Sequence, residues 1–590
     1  MGYVLSISLS GYFVFFAVSA VTAAIALLGL GIVTGSAGMI ALCQLTFAAV
    51  GAWVVSLLNV MEAPGGFIVW LVAGGIAAGA AGILVGLPAL RLRGVNLAVV
   101  TLGFAAAADV TLQQIQFPGS KDGIPVERPD AFSDDRQFFF FSVIVLVVCA
   151  LGVFWLQRSR WGASWKSVAF SERGTAAVGQ SVRTAKLTAF AVSAALGGVS
   201  GGLLAGQVQL PFPSSFTPIQ SLALYVLAVM SGTQLIDMAV FGGIMWVLVP
   251  ELLKRFGIPQ DWGFVIFGAL GVQALTSGTN LGEEIRNAWW KRRGRVAPRS
   301  GTTAPVEAAP ASAGPGARGL DDRGGTHDGG SSPAAAPSPS SPLAAGTAGS
   351  GRPAHGLALA VDHLTVQFGA LKALDDVNVE VPAGTVMGLI GPNGAGKSTF
   401  VDAISGFLPQ ATGTMSLGGT PLKGLSPTHR ARLGLRRTFQ QDRVPPSLTV
   451  GAYVRFVARR HVSDAELADV LGFFGCPSAG TRLSTADIGT RRLIEVAANV
   501  AAKPSVLVLD EPAAGLSHEE HVALGERLRT LPSTYGMSVV LIEHDLDLVR
   551  AVCSQLTVLD FGKVLASGPQ DEVLANPAVI KAYMGETEML

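Results

Sequence analysis

Apolar stretches of about 17 to 25 residues, each long enough to cross a bilayer, recur along the first half of the chain. They fall at roughly 11–33, 38–60, 66–88, 95–116, 137–156, 186–206, 217–233, 237–253 and 261–278 and predict nine helical membrane spans. From Leu357 the pattern shortens. Leu359–Phe368 and Val377–Val381 nearly alternate between apolar and polar residues, and Val386–Ile390 is a continuous apolar run followed by glycines. Short apolar runs bounded by turn residues predict the strands of a soluble α/β domain. Between the two halves, residues 297–355 are mostly Ala, Pro, Gly and Ser. Such a composition cannot bury a core and predicts a disordered tether, with a random-coil span on the order of 45 Å. The expected organisation is a membrane domain at 1–296, a linker at 297–355 and an α/β domain at 356–590.

Basic residues orient the membrane half, because loops rich in Lys and Arg stay in the cytoplasm. Arg91 and Arg93, the segment from Arg158 to Lys186, and the tail carrying Arg286, Lys291, Arg292, Arg293, Arg295 and Arg299 all belong inside. Nine spans satisfy this with the N-terminus outside. Lys254 and Arg255 then lie outside, as does the loop from about 117 to 136, which mixes both signs. The first apolar run lacks a basic leader and a cleavage site, and reads as a span rather than a signal peptide. With 50% hydrophobic and 14% charged residues the composition is that of a membrane protein, and a net charge of +1 offers nucleic acid no attraction. Cys43, Cys149, Cys476 and Cys553 are far apart, lack metal spacing and read as small apolar fillers.

Small residues crowd the membrane half, as in Ala73–Gly82 and Leu196–Leu203. In lipid they let helix backbones approach; they also allow broken helices around a path at the midplane. Asp109 is the one carboxylate well inside an expected span, where it must be paired or hydrated.

The chemistry is in the α/β half. Gly391-Pro-Asn-Gly-Ala-Gly-Lys-Ser-Thr399 fits the phosphate-loop spacing and follows an expected strand. Its glycines, Gly391, Gly394 and Gly396, with Asn393 between them, let backbone N–H groups curl around phosphates. Lys397 is placed to reach the β and γ phosphates, and Ser398 and Thr399 open the following helix, with the Ser398 hydroxyl suited to Mg²⁺. About 110 residues later an apolar strand ends in Asp510 and Glu511. Asp510 suits a Mg²⁺ contact and Glu511 the polarisation of an attacking water. His544 ends a further apolar strand, where it suits sensing the γ phosphate; Gln440 offers a neutral amide to both metal and water. Phe368 is placed to stack on adenine, or else is a strand core residue. ATP and Mg²⁺ are the expected cofactors.

This order of aromatic residue, phosphate loop, Gln, Asp-Glu and His resembles the nucleotide-binding domain of ABC transporters. Gly434-Leu-Arg-Arg-Thr-Phe-Gln440, Asp510–Leu516, Ile542–Asp545 and the tail Asn576–Gly585 narrow the resemblance to the ATPase subunit of branched-chain amino acid importers. The membrane half is similar to the permease of the same system through Arg91–Gly103, Pro118–Ile124 and Lys186–Phe190. The resemblance implies ATP-driven import of branched-chain or related hydrophobic amino acids across the cytoplasmic membrane by a fused permease and ATPase. It also implies a second permease, a second ATPase and a separate solute-binding protein as partners. Glu172, Ala176, Ala177 and Gly179 match a loose form of the family's coupling loop, which docks on the ATPase.

Two departures stand out. The family's signature, which serves the partner's ATP, falls in the gap-free register on Ala486-Asp-Ile-Gly-Thr490; the alternative, Leu483-Ser-Thr-Ala-Asp487, needs about three residues of slack before the helix. Gly489 is kept, but Asp487 replaces a serine and brings a like charge towards phosphate, so unequal ATP sites are expected. In the permease, Gly38–Gln44 replaces a Gly-rich stretch, which leaves urea or short amides as alternative cargo. An exporter half-molecule would need about six long spans, and a non-transporting ATP sensor would bind nucleotide without substrate-stimulated hydrolysis.

Overall fold

A computed structural model describes residues 11–90, 92, 94–232, 236–277 and 356–584. The linker at 297–355, Arg91, Arg93 and the basic tail after 285 lie outside the described residues.

Among the described residues, nine apolar helices lie on the expected stretches. They are α1 (Gly11–Leu30), α2 (Gln44–Val60), α3 (Gly66–Ala89), α4 (Val95–Ile115), α5 (Asp135–Arg158), α8 (Val182–Val208), α9 (Pro218–Ser231), α10 (Ile236–Arg255) and α11 (Trp262–Ser277). Two short helices, α6 (Arg160–Phe170) and α7 (Glu172–Ala177), lie between α5 and α8. Among the described residues seven segments are long and apolar enough to cross a membrane, whereas Gln44–Val60 and the last helix are shorter.

The second span starts later than the expected 38. Helix α1 passes into a π-helical turn at Gly31–Ser36, and Gly38 takes a φ of +65°, where a Cβ would come within 3.0 Å of Ala169. The chain therefore runs irregularly until Gln44. Two amides left without helical partners are satisfied by neighbouring helices, with Leu42 N–H donating to Thr101 Oγ1 (3.0 Å) and Leu45 N–H to Ser221 Oγ (3.3 Å). Gln44 is buried; its Nε2 donates to the Ser193 carbonyl at 3.0 Å, and its Oε1 accepts from Ser193 Oγ at 3.1 Å. Non-helical backbone inside a membrane domain is tolerated where protein groups replace the missing bonds in this way.

Glycine brings α2, α3 and α8 together. A Cβ on Gly51 would stand 2.1 Å from the Gly198 carbonyl oxygen, and one on Gly201 would stand 1.8 Å from that of Ala48. Without a hydrophobic drive between helices in lipid, this close backbone packing is the main source of association. Asp109 accepts from Gln113 Nε2 at 3.2 Å, in the C-terminal part of α4.

The second half is an ordinary two-sheet α/β domain. Strands β1 (Leu357–Phe368), β2 (Leu371–Pro382), β4 (Thr412–Leu417) and β5 (Thr420–Pro421) form an antiparallel sheet in the order β2-β1-β4-β5. Strands β3 (Val386–Ile390), β6 (Leu435–Arg437), β7 (Val506–Asp510), β8 (Ser538–Ile542), β9 (Gln555–Asp560) and β10 (Lys563–Pro569) form the main sheet, ordered β10-β9-β3-β8-β7-β6. All its pairs are parallel except β10 with β9. Every residue of β3, β7 and β8 is buried, as expected for parallel strands covered on both faces. Helices α12 (Lys397–Ile404), α13 (Pro427–Leu433), α14 (Val450–Ala458), α15 (Asp464–Phe473), α16 (Ile488–Ala501), α17 (His518–Tyr535) and α18 (Leu546–Val552) complete it, ahead of the short C-terminal helices. Because β3, β7 and β8 are neighbours, their carboxyl ends bring the phosphate loop, Asp510 and His544 to one edge, where open α/β sheets bind ligands.

Candidate functional site

The phosphate loop joins β3 to α12 through glycines that no other residue could replace without movement. Gly391 has a φ of +150°, and a Cβ there would meet the Leu559 carbonyl oxygen at 2.1 Å; at Gly396, with φ +104°, it would meet that of Ala373 at 2.8 Å. Asn393 and Gly394 form the exposed crest, Ser398 is exposed in the first turn of α12, and Thr399 is half-buried beside it. Lys397 Nζ donates to the carbonyls of Gly391 (2.5 Å) and Pro392 (2.9 Å), so its ammonium sits in the mouth of the loop. This glycine cradle with its inward lysine fits a polyphosphate.

Asp510 ends β7 and is 7% exposed; burial raises its pKa, and the nearby Arg437 opposes that rise. Glu511, next in the chain, has a φ of +47°, uncommon for a residue with a side chain and typical of strained functional positions. Its backbone N–H donates to the Ile542 carbonyl at 3.0 Å, which fixes the turn. Gln440 Nε2 donates to Glu511 Oε2 at 2.8 Å, and His544 Nδ1 stands 3.9 Å from Glu511 Oε1. Gln440, Glu511 and His544 are therefore brought together over the end of the sheet. Phe368 is 46% exposed at the end of β1 and is not a core residue.

Several residues here escaped sequence reasoning. Arg437, 5% exposed, pairs with Asp402 Oδ1 at 2.5 Å and with Asp510 Oδ2 at 3.3 Å, and lies 4.4 Å over the Phe439 ring. Thr438 Oγ1 accepts from Asp510 N–H at 3.1 Å. Arg492 donates to the carbonyls of Phe439 (3.2 Å), Glu511 (3.4 Å) and Gln440. Glu543 is 2% exposed and accepts from Ala513 N–H at 3.3 Å; burial raises its pKa. The basic pair Arg436-Arg437, which follows Leu435 in the three-residue β6, was the available hint.

Asp487 is the N-cap of α16. Its Oδ1 accepts from Thr490 N–H at 2.8 Å and its Oδ2 from Thr490 Oγ1 at 2.9 Å; these bonds lower its pKa, so it is ionised at neutral pH. The head of α16 thus carries a negative charge that occupies one of its own first-turn donors. Gly489 is buried, and a Cβ there would stand 2.9 Å from Leu516.

The cytoplasmic loop of the membrane half reaches the α/β domain. Glu172 pairs with Lys186 at 2.6 Å, and Gly179, with φ +76°, follows α7 after a turn in which its N–H bonds the Ala176 carbonyl at 2.9 Å. The Gly179 carbonyl accepts from Arg432 Nε at 3.0 Å and from Arg459. Gln180 Nε2 donates to the Phe456 carbonyl at 3.1 Å, Arg443 to Ser171 Oγ at 2.8 Å, and Arg173 pairs with Asp402 at 3.5 Å.

Glu495 is buried on α16 near this junction, and burial pushes its pKa up to about 8. Between its unfolded value and about 8 the folded state holds a proton that the unfolded state has lost. Stability from this group is complete at low pH and falls as pH rises towards 8. Glu495→Gln should flatten that fall, worth on the order of a few kcal/mol, in unfolding midpoints of the purified chain from pH 5 to 9.

Residues 12–275 match the family described as the branched-chain amino acid transport system permease component, residues 374–514 match ABC transporter, and residues 563–588 match the branched-chain amino acid ATP-binding cassette transporter family. The high-affinity branched-chain amino acid transport ATP-binding protein BraF of Pseudomonas aeruginosa is 35% identical over 253 residues, covering 39% of this chain and 98% of that protein. Its counterpart LivG of Escherichia coli is 34% identical over 249 residues, with 39% and 98% covered. A nucleotide-free ATP-binding cassette of known structure superposes at 25% identity with a TM-score of 0.35, over 38% of this chain and 98% of that one. The chain belongs to the branched-chain amino acid ABC transporter family, and joins its membrane permease and its nucleotide-binding ATPase in one multi-pass polypeptide.

Proposed function

We propose that this chain imports branched-chain or related hydrophobic amino acids, driven by ATP hydrolysed between its phosphate loop and the signature of a second ATPase. The observation that carries the reading is the set of bonds from Gly179 and Gln180 to Arg432 and Phe456, which ties the permease loop to the ATPase. Gly391, Asn393, Gly394, Gly396, Lys397, Ser398 and Thr399 bind the phosphates, and Phe368 stacks on the base. Glu511 takes the proton of the attacking water, with Gln440 and His544 orienting it. Mg²⁺ held by Ser398, Gln440 and Asp510 would neutralise phosphate charge. A second permease, a second ATPase and an extracytoplasmic solute-binding protein complete the assembly.

The charge of Asp487 at the head of α16 supports unequal ATP sites. The site to which this chain lends its signature is the weaker, and a partner with an unmodified signature makes this chain's own phosphate loop the hydrolytic one.

Uptake of labelled leucine, isoleucine and valine into proteoliposomes holding the full assembly tests the reading. ATP-dependent accumulation is expected, and export or indifference to all three amino acids overturns it. In the same vesicles Gly179→Val, which strains a left-handed position under Arg432, should lower uptake by about tenfold while ATP turnover persists.

A further inference from the structure

At the junction of permease and ATPase lies a cavity of about 430 Å³, bounded by Arg158 and Arg160 on one side and by Arg455, Phe456 and Arg460 on the other. Its charge is unbalanced. Arg455 pairs with Asp464, and Arg460 with Glu466, but among the described residues neither Arg158 nor Arg160 has a carboxylate within salt-bridge distance. The field is felt nearby: burial, Arg482 and Arg158 together lower the pKa of Lys166. The walls are apolar where Ala163 and Phe456 line them.

The depth of this cavity is fixed by its neighbours. Arg158 is the last residue of α5, and its guanidinium lies 3.7 Å over the Phe154 ring. Trp155 is 71% exposed and Trp161 46% exposed on either side. Exposed tryptophans flanking the end of a spanning helix mark the headgroup level of the bilayer. Unpaired arginines at that level, beside apolar walls, match a phosphate ester carrying an acyl chain, and basic pockets on the cytoplasmic side of membrane helices select anionic lipids.

We propose that this cavity holds the phosphate headgroup of an anionic phospholipid, which then bridges the permease and the ATPase at their junction. The lipid would contact Arg158 and Arg160 from the permease and the α14 side of the ATPase at once.

Full-length protein, delipidated in detergent and then exchanged into nanodiscs of phosphatidylcholine with or without phosphatidylglycerol, provides the test, read as lipid retained after repurification. Phosphatidylglycerol should be retained in preference. The double variant Arg158→Gln/Arg160→Gln should weaken its retention on the order of thirty-fold. Arg183→Gln, which removes a cytoplasmic charge outside the cavity, should leave retention unchanged, and unfolding midpoints and ATP binding report whether each variant is folded. Equal retention of the two lipids overturns the proposal, as does a double variant that is folded and retains phosphatidylglycerol like the parent. Glycerol phosphate binding in detergent that phosphatidylglycerol fails to displace would assign the cavity to a soluble anion and also overturn it.

Discussion

Replacing Glu511 by Gln should lower ATP turnover of the assembled transporter by about 10²- to 10⁴-fold while leaving ATP binding intact. The amide keeps the volume of the side chain and its place beside Gln440, 2.8 Å away, but cannot accept a proton from water. Glu511 is also held by backbone: its N–H is bonded to Ile542 and its carbonyl to Arg492, so the strained φ of +47° survives the change. The measurement is ATP turnover in proteoliposomes beside equilibrium binding of a labelled ATP analogue. Turnover near the parent level would remove Glu511 from the chemistry, and would place hydrolysis at the site built on the other ATPase.

The largest loss of stability is expected from Arg437→Ala, at about 3–5 kcal/mol, because a buried charge network would lose its central cation. Arg437 lies between Asp402 and Asp510, and both would face each other's charge without it. Asp510 is already disfavoured in its ionised form by burial, so it should take up a proton more readily and lose its value as a metal contact. Arg437→Lys keeps the charge but cannot span both carboxylates and should recover part of the loss. Thermal unfolding of the detergent-purified chain, with ATP binding measured in parallel, checks both variants. An unchanged midpoint in Arg437→Ala would show that the two carboxylates find other partners.

What could be read before any coordinates follows from how each feature is written in the chain. The spans are contiguous apolar runs, and among the described residues nine helices lie on them; the largest shift of a start, from 38 to 44, arises because Gly38 to Cys43 is apolar without being helical. The phosphate loop and the Asp510-Glu511 pair are local motifs, each dictated by a strand end. Gln440 and His544 were singled out by type and neighbourhood, and their approach to Glu511 spans 71 and 33 positions. Asp402 and Glu495 carry no local mark, and Arg437 only that of the basic pair Arg436-Arg437: their meaning is a burial and a set of partners that exist only after the sheet has formed. Asp487 shows the intermediate case. Its identity was legible as a departure, but its bonds to Thr490 come from the start of α16 and not from the motif.

Asp402 is shared between two owners. One of its oxygens lies 2.5 Å from Arg437 of the ATPase, and the other lies 3.5 Å from Arg173 of the permease loop. The cassette is therefore not electrically self-contained. Expressed without the permease it carries the same residues but one fewer cation at the carboxylate that Arg437 holds behind β7.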